Sequence, residues 1–293
     1  MREEAVLERR ISKKLLGIKD LPTLPEVMTK ILETIEDDRS SAEDLTDLLE
    51  CDHAISARAL RLANSAFYGI RHPVDSIRQA VVVIGFDAVR HLALATSVFD
   101  VFAGRRQFAL DPEDFWMHSL GTAKACQLLC ASHCPVESAA GCFTAGLLHD
   151  VGKYLLALVL GEEYAAVVRA AKASRRRLRD VEQEKLNVCH AEVGQWLADK
   201  WRLPPVLTDV IGNLYRARRY HGPHRTALAV VVVADDMSRA AGFGFAGDWT
   251  EPAFAPAVLD SLSLTTATVD EAIEGLREFC DETRRFFHLM KEK

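Results

Sequence analysis

Apolar residues recur every three or four positions along most of this 293-residue chain, whereas the alternation typical of β-strands is scarce. In the segment LPTLPEVMTKILETIED, for example, Val27, Ile31 and Ile35 share one helical face. Asp111 followed by Pro112 is typical of a helix start, because a proline at the first helical position gives up only a hydrogen bond that would be missing anyway. The pattern predicts an all-α protein with short connections between helices.

A charged stretch, GRRQFALDPEDF, interrupts the helical pattern near the middle of the chain. A chain of 293 residues is long enough for one large domain or two ordinary ones. We therefore predict an N-terminal helical subdomain over residues 1–107 and a second helical subdomain over residues 108–293. The second subdomain ends in an amphipathic helix, and we expect the first to pack on it.

Composition narrows the functional class. The formal net charge is −6, so a global basic surface for nucleic acid is absent. The longest apolar run, ALAVVVVA, is too short to cross a bilayer, and the charged N-terminus is unlike a secretory signal. Seven cysteines without a CxxC pair indicate reduced thiols. We expect a cytoplasmic protein that does not span a membrane.

Two other features each allow two readings. Cys126, Cys130 and Cys134 have helical spacing, which fits a thiolate metal cluster but is more typical of small core residues on one helix face. Basic residues cluster between Arg169 and Arg179 and again between Arg216 and Arg225. Such clusters are either solvated helix surfaces or phosphate-binding strips, because the arginine fork matches phosphate oxygens. Direct binding of nucleic acid through them is the least favoured reading.

Histidines and aspartates on helical segments are the candidate chemical groups. GLLHDVGK places His149 beside Asp150 at the end of an apolar helical run. Asp235 follows four valines, and a carboxylate on a buried helix is costly unless it is paired, hydrogen-bonded or bound to a metal. Neutral imidazoles with carboxylates suit a divalent transition metal such as Fe, Mn, Zn, Co or Ni. Spacing alone does not bring these segments together.

Several motifs resemble known families. HDVGK, with a histidine upstream and an aspartate downstream, resembles the HD superfamily of metal-dependent phosphohydrolases. LPTLPEV, RLANSAFYG, SIRQAVVVIGFDAVRHLAL, FWMHSLGTA, HAEVGQWLADKWRLP and VVVADDM resemble the HDOD family, in family order, over about residues 18–240. The HDOD resemblance implies a helical N-terminal bundle followed by an HD-like bundle. It also implies a bacterial signalling role, since most members are signalling proteins.

The resemblance also implies a set of site residues. The metal ligands carried over by position are His118, His149, Asp150, His190 and Asp235, with Asp236 as a one-residue alternative to Asp235. Lys153 matches a lysine that the catalytic HD-GYP relatives keep near the phosphate. It would be a catalytic residue only if this protein is an enzyme.

The chain departs from the HD-GYP pattern at one place. Leu214 and Tyr215 stand where those enzymes carry a pair of histidines, and the Gly-Tyr-Pro signature is absent. Leucine cannot bind a metal, so the ligand count favours one ion over two. The resemblance then implies a regulatory protein that binds a partner signalling protein or a nucleotide second messenger. The alternative is a metal-dependent phosphohydrolase or phosphodiesterase acting on a nucleotide or cyclic dinucleotide. The sequence does not predict an oligomeric state.

Overall fold

The structure, a computed structural model, describes residues 41–64, 72–86, 110–133 and 136–291, together with residues 29–31, 33, 70, 88, 89 and 93. Within these residues every regular element is a helix and none is a β-strand. The helical spacing of the apolar residues predicts helices and no strands. The predicted all-α class is therefore confirmed.

The chain divides into two compact units. The larger unit comprises Met1–Pro22 and Gly104–Ile273, and the smaller unit comprises Thr23–Ala103 and Glu274–Lys293. The predicted boundary between residues 107 and 108 lies outside the described residues. The two predicted subdomains therefore stay a prediction.

The smaller unit contains three short helices in its described part. They are α1 (Ala42–Glu50), α2 (His53–Ala63) and α3 (Ile77–Ile84). Ser41 and Asp44 form a capping box at the start of α1, in which each side chain accepts the backbone N–H of the other. Asn64 lies just after α2, and its amide donates to the carbonyl of Val74 and accepts the N–H of Val74, both at 2.7 Å. The Asn64 amide therefore ties the end of α2 to the segment before α3.

The larger unit holds the remaining described helices. They are α4 (Pro112–His133), α5 (Val136–Leu148), α6 (Val151–Leu160), α7 (Glu162–Ser174), α8 (Leu178–Leu186), α9 (His190–Lys200), α10 (Pro205–Asn213), α11 (Arg225–Ala240), α12 (Pro256–Ser261) and α13 (Thr266–Lys291), which begins in this unit. A 3₁₀ segment, Leu214–Arg219, directly follows α10. Connections are short, except for the loop of residues 242–255 between α11 and α12.

Helix α4 is central to the larger unit and packs against α5 and α11. It begins as the sequence predicts, because the Asp111 carboxylate accepts the N–H groups of Glu113 and Asp114. Phe115 on α4 and Leu147 on α5 are 1% exposed. Burying side chains of this size contributes about 2–3 kcal/mol each. This packing fixes α4, α5 and α11 relative to one another, and each of them supplies or adjoins a predicted site residue.

One stretch, Gly141–Leu160, is long and apolar enough to cross a membrane. It comprises most of α5 and all of α6, and 78% of it is buried inside the protein. Core helices of globular proteins have the same character, so this stretch is weak evidence for a membrane span. The buried cysteines fit the same core: Cys126 and Cys130 on α4 are buried thiols, as expected of core residues, while Cys134 lies outside the described residues.

Candidate metal centre

The HD pair forms the turn between α5 and α6. His149 and Asp150 follow the end of α5 at Leu148, and His149 Nε2 lies 3.3 Å from Asp150 Oδ2. The Nδ1 atom of His149 lies 2.7 Å from the carbonyl oxygen of Gly146. A carbonyl oxygen only accepts, so Nδ1 carries a proton and Nε2 is the nitrogen that could bind a metal.

Two further predicted residues reach the same point from other helices. His118 lies on α4 and Asp235 on α11, and His118 Nε2 is 3.1 Å from Asp235 Oδ1. His118 Nε2 also lies 3.4 Å from His149 Nε2 and 3.9 Å from Asp150 Oδ2. The structure therefore brings four of the five predicted ligands around one point, and both imidazoles are almost fully buried.

The spacing of these four groups fits a single metal ion. Metal–ligand bonds of about 2.1 Å place neighbouring ligands of an octahedral ion about 3.0 Å apart and opposite ligands about 4.2 Å apart. The distance between the two imidazole nitrogens and their four distances to the carboxylates run from 3.1 to 3.9 Å. The lone pairs of two carboxylates and two unprotonated imidazole nitrogens that converge in this way repel one another unless a cation or protons lie between them. The mixed nitrogen and oxygen donors suit Fe, Mn, Zn, Co or Ni.

The two imidazoles are not held equally well. A metal-binding histidine usually donates its second ring N–H to an acceptor, which fixes the ring. His149 has this support from Gly146, whereas Nδ1 of His118 is buried without a hydrogen-bond partner among the described residues. His149 is therefore the better-oriented of the two.

The local charges keep both carboxylates ionised. Burial raises the pKa of Asp235, but the hydrogen bond to His118 and the charges of both histidines lower that pKa to about 2. Burial likewise raises the pKa of Asp150, while the charges of His149 and Lys153 hold it well below its usual range. Burial lowers the pKa of His149, but the charge of Asp150 and its hydrogen bond raise it above the ordinary value. At neutral pH two negative charges face the centre.

Lys153 on α6 lies inside the protein beside Asp150. Its Nζ donates to Asp150 Oδ2 at 2.6 Å and to the carbonyl of Ala246 at 2.8 Å, and the residue is 2% exposed. Although burial lowers its pKa, the charge of Asp150 raises the pKa above the ordinary lysine value. Two of its three N–H donors are thus used within the protein. Its predicted catalytic role stays a prediction.

His190, the fifth predicted ligand, lies nearby but has other partners. Its Nε2 is 3.3 Å from Asp150 Oδ1 and 2.8 Å from the hydroxyl of Tyr215. Its Nδ1 and its backbone N–H both bond to the fully buried carboxylate of Glu182, which also accepts the hydroxyl of Tyr164. Glu182 and Tyr164 were not predicted as site residues, because no motif marks them.

The region of Leu214 and Tyr215, where the HD-GYP pattern would have a pair of histidines, offers no such pair here. Leu214 is buried and offers no ligand atom, and the Tyr215 hydroxyl faces His190. Burial raises the pKa of Tyr215 well above its usual range, so it is a neutral phenol. The described residues around His190 thus present a hydrogen-bonded network in place of a second set of ligands.

The structure places Asp235, and not its neighbour Asp236, beside the histidines. Asp236 forms a 2.9 Å ion pair with Arg239 and accepts the N–H of Ala253 at 3.3 Å. Burial, together with the charge of Asp235, raises the pKa of Asp236 to about 6. Asp236 therefore lies next to the site but is not one of the groups that face the histidines.

A cavity of about 230 Å³ opens beside the metal centre. His118, Asp150, Lys153 and Asp235 line one side of it, and residues of the loop between α11 and α12 line the other. No residue of this loop is among the predicted site residues. A signal was present in its glycines and aromatic residues, GFGFAGDW, which begin six positions after the last aspartate of VVVVADD. Loops that close a site often have this composition.

The chain matches the HDOD domain over residues 21–217. A protein of Treponema pallidum without an assigned function is 26% identical over 196 residues, which is 66% of this chain but only 37% of that protein. Among solved structures, an HDOD domain protein of unknown function from Geobacter sulfurreducens has a TM-score of 0.80 and 26% identity, over 96% of this chain and 98% of that one.

Two further solved structures share the fold. A candidate signal transduction protein from Marinobacter aquaeolei has a TM-score of 0.81 and 22% identity, over 98% of this chain and 66% of that one. A candidate phosphohydrolase from Shewanella amazonensis has a TM-score of 0.75 and 23% identity, over 96% and 98% of the two chains. The HDOD match covers most of the chain, and the fold and the order of motifs agree with it. This chain belongs to the HDOD domain family.

Proposed function

We propose that this HDOD protein binds one divalent metal ion at His118, His149, Asp150 and Asp235 and acts as a regulatory protein. One observation carries the metal proposal: the two imidazole nitrogens lie 3.4 Å apart, and each lies within 3.9 Å of both ionised carboxylates, Asp150 and Asp235. The regulatory role is the one that the signalling members of the family imply, and a cytoplasmic location is part of the same proposal.

The arrangement supports binding more than turnover. A second ion would need ligands around His190, and the hydroxyl of Tyr215 bonds to that imidazole instead. Lys153 uses two of its N–H groups on Asp150 and Ala246, which leaves at most one for a phosphate. We propose that the metal centre holds a ligand, either a partner signalling protein or a nucleotide second messenger.

Metal analysis of the purified protein tests the metal proposal. We expect about one equivalent of a transition metal per chain, and Mn²⁺ titration of the EDTA-treated protein should give one site by calorimetry. His149→Ala and Asp150→Asn should abolish binding. His221→Ala removes an exposed histidine and should bind Mn²⁺ normally. Full occupancy in the His149→Ala variant would contradict the assignment.

The alternative function is metal-dependent hydrolysis of a phosphoester, such as a nucleotide or cyclic dinucleotide. The cavity beside the ligands favours it, because a substrate needs access to the metal. A divalent ion would supply a Lewis acid at this centre. Turnover of a cyclic dinucleotide with Mn²⁺ that is lost in Asp150→Asn would establish this alternative. Stoichiometric metal without turnover supports the binding role.

A further inference from the structure

The two basic clusters of the sequence meet at one cavity in the larger unit. This cavity has a volume of about 510 Å³ and is separate from the smaller cavity at the metal centre. Its basic lining comes from the segment before and at the start of α8, from the 3₁₀ segment and from α11. These residues are Arg177, Arg179, Arg216, Arg218, Arg219 and Arg239. Residues that lie some forty positions apart in the sequence thus form a single positively charged wall.

The positive charge of this wall is only partly neutralised, since Arg179 lies 3.8 Å from Asp180 and Arg216 lies 3.4 Å from Glu192. The lining contains six arginines but only three aspartates. Asp235 belongs to the metal centre, and Asp236 is paired with Arg239. Asp248 accepts the N–H of Leu178. Exposed Arg218 and Arg219 form no ion pair with any described residue. An anion with several charges would complete the charge balance.

The rest of the cavity is apolar and aromatic. Val232, Ala253, Ala255 and Val258 lie among its lining residues. The guanidinium of Arg179 lies 4.7 Å from the centre of the Tyr215 ring, a stacked arrangement that orients its N–H groups. Small-molecule sites have volumes of about 300–1,000 Å³ and combine apolar walls with a few polar anchors. This cavity has the size and the chemistry for a nucleoside carrying phosphates.

The arginine-lined cavity adjoins the cavity at the metal centre and shares part of its wall with it. Tyr215, Asp235 and Arg239 line both cavities. A ligand held by the arginines could therefore extend toward the histidines. Asp235 and Asp248 line both cavities, whereas Arg218 and Arg219 line only the larger one, so the shared part of the wall differs in charge from the rest.

We infer that the arginine-lined cavity binds a nucleoside di- or triphosphate, with the phosphates on the arginines and the base against the apolar wall. Arginine suits this task because its planar fork gives two parallel hydrogen bonds to a phosphate. The inference deepens the proposed function by naming the ligand class, and it rests on that function only for the end of the ligand that faces the metal. Nucleic acid is the less suitable occupant, since the site is concave and the chain carries a net charge of −6.

Calorimetric titration with ADP, pyrophosphate and adenosine tests the inference, first in EDTA and then with Mn²⁺. We expect ADP to bind in EDTA, pyrophosphate to bind more weakly, and adenosine to bind least. Arg218→Gln with Arg219→Gln should weaken ADP binding by about tenfold or more. Arg175→Gln with Arg176→Gln removes the same charge outside the cavity and should change it by no more than about twofold.

The controls separate this inference from the metal proposal. Mn²⁺ binding should be unchanged in the Arg218/Arg219 double variant, because neither residue lies at the metal centre. Failure of ADP to bind at millimolar concentration, while Mn²⁺ still binds, overturns the nucleotide inference alone. Equal weakening by both double variants also overturns it, since it indicates a general charge effect. Tighter binding of a single-stranded oligonucleotide than of ADP would favour a nucleic-acid surface instead.

Discussion

The hydroxyl of Tyr215 lies 2.8 Å from Nε2 of His190 and donates to it. The direction follows from the other side of the ring, where Nδ1 lies 2.6 Å from the carboxylate of Glu182 and must carry the proton. Tyr215 therefore covers the one ring nitrogen of His190 that faces Asp150. This bond occupies the lone pair that a metal ion would need.

Tyr215→Phe should make the site bind metal more strongly. The substitution removes only the hydroxyl and keeps the ring stacked on Arg179, so the fold is retained. With Nε2 of His190 uncovered, we expect the Mn²⁺ affinity to rise by about tenfold, the size of effect that neighbours of metal ligands have. Calorimetry measures both affinity and stoichiometry, and a second equivalent of Mn²⁺ would be the strongest form of the result.

Tyr164→Phe is the matched control for this prediction. It also removes a hydroxyl from the network, but that hydroxyl bonds to Glu182 and not to the imidazole. Its Mn²⁺ affinity should stay close to that of the wild type. Identical metal binding by wild type and Tyr215→Phe would show that the Tyr215 hydroxyl does not keep His190 from binding a metal.

Gly152→Ala should both destabilise the larger unit and impair metal binding. Gly152 lies where α6 packs against α9, and a methyl group there would overlap the carbonyl oxygen of His190 and lie 2.7 Å from the backbone nitrogen of Gly194. Helix α6 would have to move and carry Asp150 with it. We expect a loss of about 2–3 kcal/mol in the free energy of unfolding, typical of overpacking. Urea denaturation measures it.

A second glycine provides the comparison. Gly141 lies on α5 of the same unit, and a methyl group there would meet only Val206, at an ordinary 3.6 Å. Gly141→Ala should leave stability unchanged or raise it by up to about 1 kcal/mol through helix propensity. If both variants unfold at the same urea concentration as the wild type, the close approach of α6 and α9 is not a constraint.

The parts of the site that the sequence could predict are those that short motifs mark. Periodicity gives the helices, and Asp111 with Pro112 gives the start of α4. The HD pair interrupts an apolar run, so a turn at His149 and Asp150 fits the pattern. Each of these features depends on residues within a few positions of one another, which is the range over which sequence patterns are informative.

The parts that could not be predicted depend on distant contacts. Glu182 reads as a surface residue in a charged helix, yet it is fully buried because His190 and Tyr164 satisfy its oxygens. The arginines at 177–179 and 216–219 read as two solvated surfaces, and only the packing of the unit places them at one cavity. The periodicity of the sequence does not indicate that these arginines lie close together in the fold.

Glu182→Gln should destabilise the protein and weaken the dependence of its stability on pH. Burial raises the pKa of Glu182, but His190 and Tyr164 lower it below the 4.5 of an ordinary glutamate. A lowered pKa in the folded state stabilises above about pH 4.5, and this contribution is lost as the pH falls through the folded pKa. At neutral pH we expect the free energy of unfolding to fall by about 2–4 kcal/mol, because an amide N–H₂ would face other donors.

Urea midpoints at pH 7 and pH 4 check this prediction. The wild type should lose more stability than Glu182→Gln between the two values. Glu184→Gln alters an exposed carboxylate paired with Arg176 and should behave like the wild type at pH 7. A Glu182→Gln protein with the wild-type midpoint at both pH values would contradict the role of this carboxylate.

Lys153→Met should make the stability of the protein depend on metal. Lys153 is the buried cation that pairs with Asp150, and methionine keeps its length without its charge. Without metal, the variant leaves the buried Asp150 carboxylate with only histidines beside it, and removing one partner of a buried ion pair costs about 3–5 kcal/mol. A bound divalent ion would replace the missing charge, so Mn²⁺ should raise the melting temperature of Lys153→Met more than that of the wild type. Lys172→Met, at an exposed lysine of α7, should respond like the wild type.

A double variant isolates the charge from the packing in this last prediction. Lys153→Met with Asp150→Asn removes both members of the ion pair, so no unpaired charge is left inside the protein. It should therefore be more stable than Lys153→Met in EDTA, and Mn²⁺ should no longer shift its melting temperature. Thermal unfolding of the four proteins, with and without Mn²⁺, gives the comparison. An equal Mn²⁺ shift in wild type and Lys153→Met would mean that the lysine does not compete with the metal for Asp150.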